Sequence, residues 1–208
     1  MPHSHSNLHK IFDFLHQVEK LKSTHRYNKT TAWEKESSAA HSWRLALMVF
    51  IIAQELNLNI DLLKALKIAL VHDLPEALTG DIDAALIAEG KVSAKQKHQQ
   101  ETEAIKKLTQ LLPSHLWKEI RELWQEYENW ITPEAKFVKA LDKIETLTQL
   151  AETWYKIYDK PDFIWSYGNK HIKNFPQLKE FFQILKEKLK EEFEKWGFEW
   201  KNEYEDLN

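Results

Sequence analysis

Apolar residues recur at helical spacing along most of this chain. Leu8, Ile11, Phe12, Leu15, Val18 and Leu21 share a face and predict a first helix over residues 8–21. The pattern lapses over residues 23–33, a polar run that holds Arg26, Tyr27 and Trp33 and reads as a loop. An arginine beside aromatics in a loop suits phosphate and base contacts, although taken alone the stretch reads as ordinary surface. A second helix opens at Ser37-Ser38, where serine can cap it, and runs to about residue 56. It is apolar nearly all round, which predicts a central, buried helix, and His41 lies in its first turns. A third helix, residues 60–71, ends in His72-Asp73 just before Pro75, which cannot continue helical hydrogen bonding.

Further helices are predicted over residues 94–112, 114–127 and 133–150, the last opened by Thr132-Pro133-Glu134. Residues 155–175 are rich in aromatics, with Pro161 and Gly168, and read as a short helix and loops. Pro176 begins a final amphipathic helix through Phe181, Phe182, Leu185, Leu189, Phe193 and Trp196, whose simplest role is to cover the core. The fold expected is therefore an all-α bundle of about seven or more helices. Residues 1–208 form one domain on this reading, with a core over about 8–155 and a C-terminal helical extension, 156–208, packed on it.

Composition narrows the function. There are only 4 glycines and no GxGxxG or GxxxxGK[ST] run, so Gly-rich phosphate cradles are excluded. With 0 cysteines, disulfides, thiolate zinc sites and cysteine nucleophiles are excluded too, which fits a reducing cytoplasm. The net charge of -3, with lysine and glutamate interspersed, argues against a nucleic-acid partner. Neither a secretory leader nor an apolar run long enough to span a membrane is visible.

The chemistry-bearing stretch is residues 70–81. His72, Asp73, Glu76 and Asp81 fall within it, behind an apolar helix. Adjacent His and Asp at a helix end can reach one metal ion, and His72 and Glu76 would share a face if the helix continued. A mononuclear divalent site needs about four protein ligands and room for water. His41 and an inward acid of the 133–150 helix could complete it; Asp142 fits, but periodicity does not separate it from Glu145, one turn on.

The order H…HD…D resembles the HD-domain superfamily of metal-dependent phosphohydrolases. His72-Asp73-Leu74-Pro75-Glu76 followed by Thr79-Gly80-Asp81 is similar to its 5′-deoxynucleotidase branch. So are Glu36-Ser37 before His41, the stretch 123–128, and Ala135 to Asp142. The resemblance runs over about residues 8–150, and the aromatic-rich C-terminal third shows no match. It implies an HD-domain helical bundle in which His41, His72, Asp73 and Asp142 bind one divalent transition metal (Co, Mn, Fe, Ni or Zn). It further implies Glu76 and Asp81 as catalytic acids, Arg26 as the phosphate-orienting cation, and Tyr27 near the sugar, where part of the family has Trp. Glu126 and Tyr127 would fall on the substrate side. The implied activity is hydrolysis of (deoxy)nucleoside 5′-monophosphates, in a cytoplasmic homodimer. Action on another nucleotide, or nucleotide binding without catalysis, are the alternatives. Ala40 stands where these proteins commonly carry an acid, which on this reading removes the carboxylate that would orient His41.

Overall fold

The computed structural model describes residues 6–153 and 161–204. Among them the chain is an all-α bundle with one small hairpin. Helices α1 (Asn7–Val18), α2 (Ser38–Glu55) and α3 (Leu62–Val71) are followed by two short ones, α4 (Glu76–Thr79) and α5 (Ala84–Ala88). Then come α6 (Ala94–Thr109), α7 (Ser114–Asn129) and α8 (Pro133–Thr153). After the undescribed stretch lie α9 (Pro161–Ser166), α10 (Asn169–Lys173) and α11 (Lys179–Lys195). Side-chain caps fix the starts of α2, α3 and α6: Ser37, Asp61 and Ser93 each accept from a backbone N–H three residues on.

Helix α8, rather than α2, is the central one. Phe137, Val138, Ala140, Leu141 and Ile144 are fully buried, with α2, α3, α7, α10, α11 and the hairpin packed around them. Helix α2 buries only the stripe His41, Leu45, Val49, Ile52 and Ala53. Trp43, Leu47, Phe50 and Ile51 stay exposed, so its all-round apolar pattern is not all-round burial. The last helix covers the core as its amphipathic pattern expects: Phe182, Leu185, Leu189 and Phe193 belong to the same apolar cluster as α8. A second cluster, with Phe14, Leu74, Ala77, Leu108 and Trp124, packs α1, α6 and α7 against the chain after α3.

The stretch read as a loop holds an antiparallel hairpin, β1 (His25–Lys29) and β2 (Lys35–Ser37). Hydrogen bonds to α8 support it: Asn28 Nδ2 donates to the Thr146 carbonyl (3.3 Å) and Gln149 Nε2 to that of Lys29 (2.6 Å). These partners lie far along the chain, so local pattern could not announce them. Of the expectation for residues 155–175, the part before residue 161 lies outside the described residues; after it, α9 and α10 are short helices. No helix among the described residues is long and apolar enough to cross a membrane.

Candidate metal centre and its cavity

Helix α3 ends by running into a polar turn. The His72 N–H still bonds back to Ile68 O (3.0 Å), and Glu76 N–H closes on Asp73 O (3.0 Å). Pro75, with no N–H to give, precedes the four residues of α4. Gly80 then takes a positive φ of 74°, where a side chain would be strained, and turns the chain to Asp81. His72 and Asp73 thus leave from one helix end, and Glu76 starts the next.

Helix α2 brings His41, fully buried, opposite them. The His41 and His72 Nε2 atoms are 3.3 Å apart; Asp73 Oδ2 lies 3.2 Å from His72 Nε2 and 3.8 Å from His41 Nε2. Asp142 Oδ1, from α8, lies 3.2 Å from His41 Nε2. Bonds of about 2.0–2.2 Å to one ion space its ligand atoms by about 3–4 Å; His41, His72 and Asp73 have that spacing, and Asp142 stands against His41 beside them.

The surroundings of the two imidazoles support the same reading. His72 Nδ1 faces the Ala69 carbonyl at 2.8 Å, and His41 Nδ1 makes a very short contact to Glu145. Both Nδ1 partners are acceptors, so in the neutral imidazoles the proton sits on Nδ1 and Nε2 is left to a metal. The two Nε2 atoms and Asp73 thus converge, with Asp142 next to His41, a set of acceptors that a bound cation or a proton would relieve. The same demand appears in His41 itself. Burial and Arg26 draw its proton affinity down, yet Glu145 and Asp142 outweigh them and push its pKa up to about 10.

The structure separates two acids that periodicity could not. Asp142 turns into the cavity, and Glu145 braces His41 from behind. Arg44 in turn holds Glu145, Nε to Oε1 at 2.7 Å. The carboxylate expected to be missing with Ala40 is thus supplied from α8, while Ala40 itself faces solvent. The signal for Glu145 was its place one turn after Asp142 in an inward-facing helix.

Arg26 reaches the centre from β1. Its guanidinium lies 3.4 Å from Asp73 Oδ2 and 3.4 Å from Glu36 Oε2, and donates to Thr146 Oγ1 (3.1 Å). Arg26, Tyr27, Glu76, Asp81 and Asp142 all line one cavity of about 220 Å³. Glu76 is buried and accepts a 2.5 Å hydrogen bond from Ser38 Oγ. Burial, with Asp73 and Asp81 close by, holds its carboxyl well above the ordinary carboxylate range. Burial and then Glu145 likewise push Glu36 up to about 7, with Arg26 pulling the other way.

Glu126, expected on the substrate side, points elsewhere: it pairs with Lys64 (2.5 Å) and Thr132 and is not part of the cavity wall. Its neighbours Tyr127 and Glu128 are, because a helical step of about 100° per residue turns them inward. Tyr127 donates to Asp142 Oδ2 (2.7 Å), and burial keeps that phenol protonated. Three lysines to which the sequence reading gave no role also line the wall: Lys97, Lys139 and Lys143, the last 2.9 Å from Asp142 Oδ2.

Comparison with known proteins agrees with this geometry. The model of the HD domain family matches residues 18–179, past the point where the motif resemblance stopped. The bovine 5′-deoxynucleotidase HDDC2 is 41% identical over 148 residues, spanning 68% of this chain and 67% of that protein. The Schizosaccharomyces pombe 5′-deoxynucleotidase hdd1 is 37% identical over 169 residues, 75% of this chain and 80% of the relative. Among solved structures, one described as a predicted metal-dependent phosphohydrolase from Magnetospirillum magnetotacticum superposes with a TM-score of 0.75. It is 27% identical in sequence, and the match covers 91% of this chain and 94% of that one. The chain belongs to the HD-domain family, beside its 5′-deoxynucleotidase HDDC2 relatives.

Proposed function

We propose that this protein is a metal-dependent hydrolase that removes phosphate from (deoxy)nucleoside 5′-monophosphates. The observation that carries the reading is the position of Arg26. A planar fork suited to a phosphate stands beside Asp73, at the edge of a cluster of acceptors that calls for a cation. The names of the relatives point to the same ester.

His41, His72, Asp73 and Asp142 would hold the ion. Imidazole with carboxylate suits Mn, Fe, Co, Ni or Zn. When bound, such an ion makes water a nucleophile near neutral pH and polarises a phosphoryl oxygen. The chain's own groups supply the rest. Arg26 orients the phosphate and neutralises its charge. Glu76, protonated by its burial, gives a proton to the leaving 5′-oxygen; as a carboxylate it can take one from the attacking water. Asp81 lies on the same wall, placed to bind a sugar hydroxyl or an ordered water. Tyr27, 39% exposed on β1, flanks the sugar side of the opening.

The test is phosphate release from ribo- and deoxynucleoside mono-, di- and triphosphates, with several metals and with EDTA. Release from 5′-monophosphates alone, abolished by EDTA, is expected. Release only from another phosphate class would move the substrate. No release at all would leave a nucleotide-binding protein.

The exposed α2 stripe of Trp43, Leu47, Phe50 and Ile51 supports a homodimer better than α11, which spends its apolar face on the core. Light scattering would read it. A cytoplasmic location rests on the absence of cysteine.

A further inference from the structure

The cavity continues beyond the charged centre. Lys139, Asp142, Lys143, Thr146, Leu147 and Leu150 of α8 all line it. They recur at three and four residues, so a single face of α8 forms the floor of the whole cavity. That face changes character along its length. Asp142 belongs to the ion cluster, Thr146 receives Arg26, and Leu147 and Leu150 are apolar. From Asp142 to Leu150 is a rise of about 12 Å, the reach of a sugar phosphate carrying a base.

Helix α9 and the turn after it supply another wall of the cavity. Phe163, Ile164 and Tyr167 line the cavity, and the Phe163 and Tyr167 rings stand 5.3 Å apart. Contacts to Lys143 fix the end of this segment against α8. Lys143 Nζ donates to Tyr167 OH (3.1 Å) while pairing with Asp142. Gly168, next in the chain, has φ +90°, and a Cβ there would stand 2.7 Å from Lys143 Cβ. The amide of Asn28, which also lines the cavity, gives its NH2 to the Thr146 carbonyl.

We propose that Phe163, with Leu147 and Leu150 of the same cavity and apolar cluster, is the nucleobase subsite, holding the base by stacking and apolar contact. This rests on the reading of the protein as a 5′-nucleotidase, and it assigns a specificity role to the aromatic C-terminal segment. A base contributes here through its ring face, because aromatic stacking needs no hydrogen-bond pattern.

The test compares two substrates, a 2′-deoxynucleoside 5′-monophosphate and 2-deoxyribose 5-phosphate, which keeps the phosphate and sugar without the base. Phe163→Ala is expected to lower kcat/KM for the nucleotide about ten- to hundredfold, the worth of one base–aromatic stack. Its activity on the baseless ester should stay unchanged, and Phe163→Trp should retain the nucleotide preference. An equal fall on both substrates, or no fall on either, would overturn the proposal. Should Phe163→Ala not fold, Phe163→Leu carries the same comparison: it keeps an apolar side chain, removes the ring, and should again lower kcat/KM for the nucleotide alone, an equal effect on both substrates or none overturning the proposal. Should the wild type release phosphate from neither, the 5′-nucleotidase reading fails by itself. The subsite is then read by calorimetry with 2′-deoxyadenosine: weaker binding to Phe163→Ala supports it, and equal binding overturns it.

Discussion

The centre is assembled from two halves that are held in different ways. The α3–α4 turn supplies His72, Asp73 and Glu76; its backbone bonds are local, and the Glu76 carboxylate is met by Ser38 from the start of α2. His72 Nδ1 leans on the carbonyl of Ala69, and Glu76 N–H closes on Asp73. The hairpin and the start of α2 supply Arg26 and His41, and their fixing bonds come from α8, over a hundred residues on. Thr146 holds Arg26, Gln149 holds the strand behind it, and Glu145 holds His41. The backbone of the first half is shaped mainly by its own turn. The second is aimed by tertiary contacts and can be misaimed without being touched.

That contrast can be broken by substitution. The largest effect is expected in the turn itself: His72→Ala or Asp73→Ala should lose the metal, read by elemental analysis after dialysis, and fall to background activity. Metal content equal to wild type would remove these residues from the ligand set. Next, Glu76→Gln should keep the metal and lose about 10²–10⁴-fold in turnover, the range for a positioned acid–base group. In the other half, Arg26→Ala should cost about 10²–10³-fold in kcat/KM with the metal retained, and Arg26→Lys should not restore it, because the fork is lost.

A pH series sharpens the comparison on the His41 side. In the metal-free protein the His41 pKa is about 10, above its unfolded value of 6.5. A raised folded value adds stability below the unfolded pKa, and that stability is lost as pH rises through the folded one. The urea midpoint of metal-free protein should therefore fall between pH 6.5 and 10. Added metal should abolish this slope, because it takes the place of the proton; a slope equal with and without metal would sink the assignment. The smallest effect is expected from Gln149→Ala. Losing one hydrogen bond to the hairpin, worth about 1 kcal/mol, should raise KM about fivefold with metal content and turnover unchanged. A matching change in metal content would mean that the two halves are not independent.

The same contrast explains what the sequence could disclose. The turn was legible because an apolar helix delivers His-Asp, a proline stops it and a glycine redirects it, all within ten residues. The bundle was legible from periodicity, apart from α4 and α5, which are too short to display a period. The hairpin was not, since Asn28 and Lys29 carry no pattern and find their partners on α8. Glu126 was misplaced because one residue on a helix is a large rotation. The brace on His41 was sought beside it in sequence, at Ala40, and came instead from Glu145. The exposed half of α2 was read as buried because apolar composition does not say which face meets a partner.

Arg44 has a second consequence. Beyond Glu145 it also grips Glu152, whose side chain is 42% exposed. A line of alternating charge therefore begins at a buried imidazole and ends in water. The outer pair is the more open to water, so it is the weaker link of the line. The orientation of an interior imidazole is thereby tied, through two carboxylates and one guanidinium, to a group at the molecular surface.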